Sequence, residues 1–476
     1  MYKPSNDYKK PSLFSGLSDM LDLNHPLCKL ADRINWEVFI KKFSSLYCQN
    51  NGRPPKSIRL MTGLVILKHI RDVSDESVVE QWKENPYYQY FCGMDQFSVK
   101  APCNPSELVH FRHRIGEEGM ELILAESIRV NDENENHHQG RGRKPEDETT
   151  VYIDTTVQEK NITFPTDMKL LLKIVDFCHK TAKKEGIKLN QTFAREIKGL
   201  KLIMRFRGRA RSKKKVKKAD RRLRTIAGRL VRELLRKLPS YSLAIPRLEL
   251  SLMFVNGEKF DGHKIYSLHE PHTLCIAKGK DHVKYEFGNK VSIVKTHSGI
   301  IIGAKSFRNE YDGHTIDPAL EQAKRLYPHP IKTVVCDRGY RGQKQSGETM
   351  VMIPDSPKAE DSQYLKAQKS RKFRKRAGIE PVIGHLKSDH RLSRNFYWGL
   401  FGDSINVMLA AAAYNFKRAI RVLFCAFLQI LHSPQMPLSD LIKPNWCLRK
   451  ICSSFSTGIR NFTNDRLGGK LPLGSF

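Results

Sequence analysis

The sequence lacks the features that mark secreted and membrane proteins. Its amino-terminal segment, MYKPSNDYKK, contains no apolar run of the kind found in signal peptides, so we expect the protein to stay in the cytoplasm. The two most apolar stretches, residues 405–416 and 422–431, are separated by basic side chains, and each is too short to cross a bilayer. We therefore expect no transmembrane helix and no membrane partner.

Paired cysteines are absent and acidic residues are few. The 10 cysteines form no C-x-x-C pair and no Cys/His cluster at zinc spacing, which argues against a zinc ribbon and a disulfide framework. Against 82 Lys and Arg residues there are 50 Asp and Glu residues, so the 476-residue chain has a net charge of +32. Such an excess favours a polyanionic partner, namely DNA, RNA or an acidic membrane surface. Enzymes that act on small molecules seldom need it.

The chain is long enough for two to four domains, and 40% apolar residues suffice to bury a large core. Residues 1–130 are predicted to form a helical N-terminal domain, because RLMTGLVILKHIR has the apolar periodicity of a helix. A polar linker is predicted at 131–149, a larger domain at 150–430, and a basic tail at 431–476.

The larger domain is predicted to have a mixed α/β (α+β) fold. VYID and KTVVCD are short apolar runs that indicate two buried strands. KIYSLHE, HTLCIAKG and YEFGNKVSIVKTHSGIIIGAKSF, which lie between them, indicate antiparallel strands. A basic helical insertion at about 180–262 interrupts this order of elements.

The insertion contains an amphipathic helix whose apolar stripe could contact a second subunit or be buried within one chain. The stripe consists of Leu223, Ile226, Ala227, Leu230, Val231, Leu234, Leu235 and Leu238.

The positive charge is concentrated in two segments. Residues 201–238 contain 17 Lys or Arg and 2 Asp or Glu, and residues 364–394 contain 10 and 2. The first run could be a solvated face or a strip that binds phosphates. We favour DNA, because Asp220 is the only acidic residue within RFRGRARSKKKVKKADRRLR, and phosphate contacts of this kind would carry little sequence specificity. The candidate contacts are Arg209, Arg211, Lys213, Lys214, Lys215, Lys217, Lys218, Arg221 and Arg222.

Three carboxylates occupy positions that suit metal chemistry. Asp154 and Asp337 each end a predicted strand, Gly339 permits a tight turn after the second strand, and Glu380 opens a predicted helix with Pro381 in its first turn. Hard cations such as Mg²⁺ prefer oxygen ligands of this kind. Two such ions roughly 3.5–4 Å apart can activate a water or a 3′-hydroxyl and stabilise the leaving oxygen of a phosphodiester.

Each candidate also has a simpler interpretation. An Asp after a strand is often a turn residue or a helix cap, and Glu380 could be a solvent-facing residue favoured by the helix dipole. Arg376 and Lys387, on either side of Glu380, could be solvated charges. The D-G-H segment that begins at Asp312 is interpreted as a turn, because Asp-Gly is itself a turn signal.

The segments YIDTT, CDRGY and F-x-x-R-x-x-x-E-x-x-x-x-x-x-K resemble the three motifs of DDE transposases of bacterial insertion sequences, in particular the insertion-sequence-five group. The resemblance covers about residues 55–430, with Phe373 where the family usually has Tyr. It implies an RNase H-like core in which Asp154, Asp337 and Glu380 are catalytic and bind two Mg²⁺ ions, with Mn²⁺ as an alternative. It also implies DNA contacts by Arg376 and Lys387, to which we add Arg338.

Together these features predict a transposase that binds terminal inverted repeats, cleaves phosphodiesters and joins 3′-hydroxyl ends to target DNA. The N-terminal domain is expected to help recognise the repeats. The partners are double-stranded transposon ends and target DNA at the bacterial nucleoid, held by a homodimer or a larger synaptic complex. An RNase H-like nuclease without strand transfer and an inactive DNA-binding relic are the alternatives.

Overall fold

A computed structural model describes residues 16–48, 54–136, 149–205, 213–277, 284–308, 310–340, 345–353 and 358–431. Contacts group the chain into one unit, Met1–Ile420, and a second, Arg421–Phe476. Two predicted DNA contacts, Arg209 and Arg211, lie outside the described residues, as does nearly all of the predicted tail. Within the described ranges, no helix combines the length and the apolarity that a membrane span needs.

The N-terminal region is helical, as predicted. Its helices are α1 (Leu17–Met20), α2 (Pro26–Arg33), α3 (Trp36–Ser44), α4 (Ile58–Ile70), α5 (Asp75–Glu84), α6 (Pro86–Phe91) and α7 (Pro105–Asn136). α4 is buried over almost its whole length because its sequence is apolar on all faces. α7 bends at Gly116, where φ is 65°, and it is still helical in 131–136, which the sequence pattern assigned to the linker.

The central sheet contains the strands β1 (Thr150–Lys160), β2 (Leu274–Ala277), β3 (Tyr285–Thr296), β4 (Ile301–Phe307), β5 (Thr333–Val335), β6 (Gln345–Ser346), β7 (Thr349–Met352) and β8 (Arg394–Asn395). Their order is β2-β3-β1-β5-β7-β6, with β4 beside β3 and β8 beside β1. β1 pairs antiparallel with β3 and parallel with β5. This mixed sheet after a helical region confirms the predicted fold class.

The insertion between β1 and β2 contains α8 (Asp167–Lys184), α9 (Ala194–Arg205), α10 (Lys213–Lys237) and α11 (Ile245–Asn256). It therefore begins ahead of the predicted position near 180, because Thr166 caps α8 soon after β1 ends. The apolar stripe of α10 is buried within the chain, in one core with apolar side chains of α8, α9 and α11. Packing within one chain therefore explains the apolar stripe without a contact to a second subunit.

The prediction of a strand at KIYSLHE was wrong, since this segment is irregular. Its two apolar side chains with the deepest burial, Ile265 and Leu268, are three residues apart and pack in the core of the insertion. That spacing cannot place both on one face of a strand, where side chains alternate with a period of two.

The remaining helices are α12 (Ile316–Leu326), α13 (Gln363–Ala377), α14 (Glu380–Asp389) and α15 (Gly399–Leu431). A buried ion pair connects β1 to α15. The Nζ atom of Lys160, the last residue of β1, lies 2.8 Å from Oδ1 of Asp403 and 3.3 Å from Oε2 of Glu270. The same ammonium donates hydrogen bonds to the carbonyls of Tyr397 and Gly399, so it holds this end of β1 in place.

Candidate active site

Asp154 lies in the middle of β1 rather than at its end. The strand continues to Lys160 because residues 155–160 pair with β3 and with β8, which the apolar run VYID does not reveal. Asp154 stands opposite Ile293 of β3. Its carboxylate Oδ1 accepts a hydrogen bond from the backbone N–H of Thr155 at 2.8 Å, and 14% of the side chain is exposed.

Asp337 follows the short strand β5 by two residues. The parallel register pairs Tyr152 with Val335, and two further residues along both chains bring Asp337 level with Asp154. The chain then turns through a 3₁₀ segment, Arg338–Tyr340, whose Gly339 N–H donates to Oδ1 of Asp337 at 2.8 Å.

Gly339 is needed at this turn for space rather than for a positive φ. A Cβ atom at this position would lie 3.0 Å from Oδ1 of Asp337 and 3.2 Å from Oδ2 of Asp312. Two carboxylates therefore approach the space that a side chain would occupy at this residue.

Glu380 opens α14, as predicted, with Pro381 in the first turn. The preceding helix, α13, ends at Ala377, so Arg376 lies in the last turn of a separate helix. The chain remains compact across the break because the N–H of Ile379 bonds to the carbonyl of Arg376 at 3.1 Å.

One apolar cluster brings the three carboxylates together. Tyr152, Val335 and Ile379 form a buried cluster, with Met352 and Ile383 packed against it. Tyr152 precedes Asp154 by two residues, Val335 precedes Asp337 by two, and Ile379 directly precedes Glu380. Packing of these apolar neighbours thus fixes the strand β1, the end of β5 and the start of α14 relative to one another.

The guanidinium of Arg376 lies among the three carboxylates. Its Nη2 atom is 3.5 Å from Oδ2 of Asp154 and 3.6 Å from Oδ2 of Asp337, and its Nη1 atom is 3.4 Å from Oε1 of Glu380. The arginine side chain is 12% exposed, whereas that of Glu380 is 63% exposed. The three predicted catalytic residues therefore surround a single positive charge.

Burial dominates the electrostatics of Asp154. It raises the pKa of this carboxyl from its usual value to about 6, and the nearby charge of Asp337 acts in the same direction. Arg376 opposes the rise by favouring the ionised form. A cation beside this buried carboxyl stabilises its ionised form, which is the form that a metal ligand requires.

Asp312 was interpreted from sequence as part of a turn, and it does begin a 3₁₀ segment, Asp312–Thr315. It also borders the site, which the sequence did not indicate. Its Oδ1 atom accepts a hydrogen bond from Oγ1 of Thr155 at 2.9 Å and lies 2.9 Å from Nζ of Lys290 on β3. The D-G-H motif was the available signal, but nothing local to it identifies Thr155 as the partner.

The predicted DNA contacts occupy different environments. Lys387 lies on α14 with its Nζ atom 4.0 Å from Oε1 of Glu286, and Arg338 is exposed beside Asp337. Arg222 forms a two-point ion pair with Glu196, with nitrogen–oxygen distances of 2.5 and 3.0 Å. Of the predicted contacts on α10, the exposed ones are Lys213, Lys214, Lys215, Lys217, Lys218 and Arg221.

The donor set fits hard divalent cations, because three carboxylates converge where a cation already lies. In the described part of the chain, however, no three metal-binding side chains are close enough together to bind one metal ion as they stand. Both observations agree if the arginine occupies the space between the carboxylates.

Comparison with known proteins identifies the family. Residues 15–114 match a transposase domain (DUF772), and residues 257–416 match the transposase DDE domain, which includes Asp337, Arg376 and Glu380 but begins after Asp154. A Rhizobium meliloti protein described as "Uncharacterized protein ORF8 in nfe locus" is 41% identical over 182 residues, which are 38% of this chain and 84% of the relative. No solved structure matches. Enzymes with this domain act in DNA transposition and recombination, generally with divalent metal ions. The chain belongs to the DDE transposases of insertion sequences.

Proposed function

We propose that the protein binds the terminal inverted repeats of its element, cleaves phosphodiesters there and joins the 3′-hydroxyl ends to target DNA by transesterification. The observation that carries this proposal is the convergence of Asp154, Asp337 and Glu380 around one cationic position. Asp154 comes from β1, Asp337 from the turn after β5 and Glu380 from α14, and all three carboxylates face the guanidinium of Arg376 beside the end of β5.

Asp154, Asp337 and Glu380 are the residues that would hold two Mg²⁺ ions, with Mn²⁺ as an alternative. Bound there, such ions supply activation of a water or a 3′-hydroxyl and stabilisation of the leaving oxygen. The chain itself contributes the fixed geometry: hydrogen bonds to backbone N–H groups orient both aspartates, and the cluster around Tyr152 sets their spacing.

Arg338, Arg376 and Lys387 are proposed to bind phosphates close to the scissile bond. Arg338 directly follows Asp337, and Lys387 lies two turns after Glu380 on α14. A guanidinium binds phosphate through two parallel hydrogen bonds, while an ammonium acts as a point charge. This arrangement suits a polyanion laid across the carboxylates.

The basic helix α10 is proposed to bind the DNA backbone further from the chemistry. With 25 residues it is about 37 Å long, close to one turn of duplex DNA. Its apolar stripe is buried in the insertion, and the exposed lysines at 213–215, 217 and 218 lie in the first two turns, ahead of that stripe. The N-terminal helices, which match the transposase domain DUF772, are proposed to recognise the repeat sequence.

The proposal is tested with the full-length protein and a labelled duplex made from the DNA that flanks the coding region. In Mg²⁺, wild type is expected to yield nicked ends and joined products. Asp154→Ala, Asp337→Ala and Glu380→Ala should each lower cleavage by about a hundredfold or more and leave duplex binding intact. Asp176→Ala removes an exposed carboxylate on α8 and serves as the matched control.

Two outcomes would count against the proposal. Cleavage without any joined product would identify a nuclease instead of a transposase. Full activity in any one of the three variants would refute the assignment of that residue. Because two ends must be held together, we also propose a homodimer or larger complex at the nucleoid, to be checked by light scattering with and without end DNA.

A further inference from the structure

Arg376 lies near three carboxylates but forms a tight ion pair with none of them. The three nitrogen–oxygen distances are 3.4, 3.5 and 3.6 Å, longer than the roughly 2.7–2.9 Å of a tight charge-assisted hydrogen bond. Arg112, by comparison, pairs with the single carboxylate of Asp75 at 2.8 Å for both nitrogens. The position of Arg376 is thus set by the sum of three charges.

Its surroundings support the same view. The side chain is almost buried, and its Nε atom has no hydrogen-bond partner among the described residues. A buried donor without a partner is costly, so a compensating interaction must hold the guanidinium in place. Attraction to the three carboxylates is the interaction that the structure provides.

We propose that Arg376 is an internal counter-ion, which holds Asp154, Asp337 and Glu380 together in the metal-free protein and is displaced when divalent cations bind. This inference rests on the proposed function of the site. Its basis is that the guanidinium contacts Oδ2 of each aspartate and Oε1 of the glutamate, and these are the same three carboxylates that would hold a metal ion. With the guanidinium between them, the three carboxylates are not close enough together to bind one metal ion, and no such group occurs among the described residues.

The consequence is a competition between two cations for one set of anions. Three ionised carboxylates and one guanidinium leave the site with negative charge, which attracts a divalent ion but does not accommodate both cations at contact distance. Removing the guanidinium leaves mutual repulsion of the carboxylates, which destabilises the metal-free protein and is relieved by metal. Arg376 therefore lowers metal affinity while it stabilises the empty site.

The experiment measures Mn²⁺ binding to the full-length protein without DNA, by electron paramagnetic resonance of free Mn²⁺. Arg376→Gln is expected to bind Mn²⁺ about tenfold more tightly than wild type. Arg376→Lys should be intermediate, since an ammonium keeps the charge but lacks the planar fork that reaches several carboxylates. Arg374→Gln, an exposed arginine in the same last turn of α13, makes the same change in net charge and should match wild type.

Melting temperatures supply a second measurement. Without metal, Arg376→Gln should melt below wild type, and saturating Mn²⁺ should raise its melting temperature more than that of wild type. Equal or weaker Mn²⁺ binding by both Arg376 variants, with wild-type cleavage intact, would overturn the counter-ion role alone. If neither wild type nor the variants bind Mn²⁺, both this inference and the proposed metal chemistry fail. Should Arg376→Gln not fold, the comparison of Arg376→Lys with wild type still decides the question.

Discussion

Replacing Lys160 by Met should remove the cation that contacts two buried carboxylates at the end of β1. Lys160 is 2% exposed, and its partners Asp403 and Glu270 are 1% and 6% exposed. Met fills a similar volume but leaves both carboxylates without their counter-ion, and the carbonyls of Tyr397 and Gly399 lose a donor. Breaking a buried pair in this way costs about 3–5 kcal/mol.

The effect should depend on pH. Burial raises the pKa of Asp403 to about 6, and Lys160 opposes that rise. The folded-state pKa thus exceeds the unfolded value, so ionisation of Asp403 costs stability as the pH rises through about 6. Without Lys160 the pKa moves higher still. The deficit of Lys160→Met should therefore be largest at pH 8 and shrink towards pH 5, where Asp403 becomes protonated.

Urea denaturation, followed by tryptophan fluorescence and by circular dichroism, measures the change, and coincidence of the two curves checks that a single transition is compared. Lys180→Met is the matched control, because Lys180 is 76% exposed and pairs with Asp176 on the surface of α8. Its loss should cost less than about 1 kcal/mol. Equal effects of the two substitutions, or a Lys160→Met deficit that does not change with pH, would refute the reasoning.

Two further predictions concern catalysis and DNA binding. Gly339→Ala should lower the cleavage rate on the order of tenfold and leave DNA affinity unchanged, because the new methyl group must displace the carboxylates of Asp337 and Asp312. An unchanged rate in the cleavage assay would contradict this. Replacing Lys217 and Lys218 together by Gln should weaken binding to unrelated DNA and reduce the salt slope of log K by up to about 0.9 per lost phosphate contact. Arg222→Gln is the comparison, since Glu196 already pairs with Arg222, and a slope change as large as that of the lysine pair would reject this distinction.

The positions of the three carboxylates could be predicted because each lies near a local signal. Asp337 follows an apolar run, and Glu380 precedes a proline that suits a first turn. The prediction that Asp154 ends its strand was wrong, since it lies inside β1. The polar residues after it remain extended because β3 and β8 supply partners, and such pairing depends on segments far away in the chain.

The fold class followed from the order of strands and helices, and the buried stripe of α10 followed from its period. The irregular conformation of KIYSLHE could not be predicted in this way. Its β-branched and aromatic residues indicate a half-buried surface, but they do not show whether a neighbouring strand exists to pair with it. Here the insertion helices provide the packing surface for Ile265 and Leu268 instead.

The contacts among the site residues could not be predicted at all. Thr155 bonds to Asp312 across 157 positions of the chain, and Arg376 meets Asp154 and Asp337 only after β1, β5 and α13 are assembled. From sequence, Arg376 was a DNA contact; in the fold it faces carboxylates. These two roles are compatible in succession. An arginine released by metal needs another anion, and a DNA phosphate is the anion that a basic protein collects at this site. On the counter-ion proposal, metal binding and DNA binding therefore favour each other. Metal releases Arg376 from the carboxylates, and a DNA phosphate binds the released guanidinium.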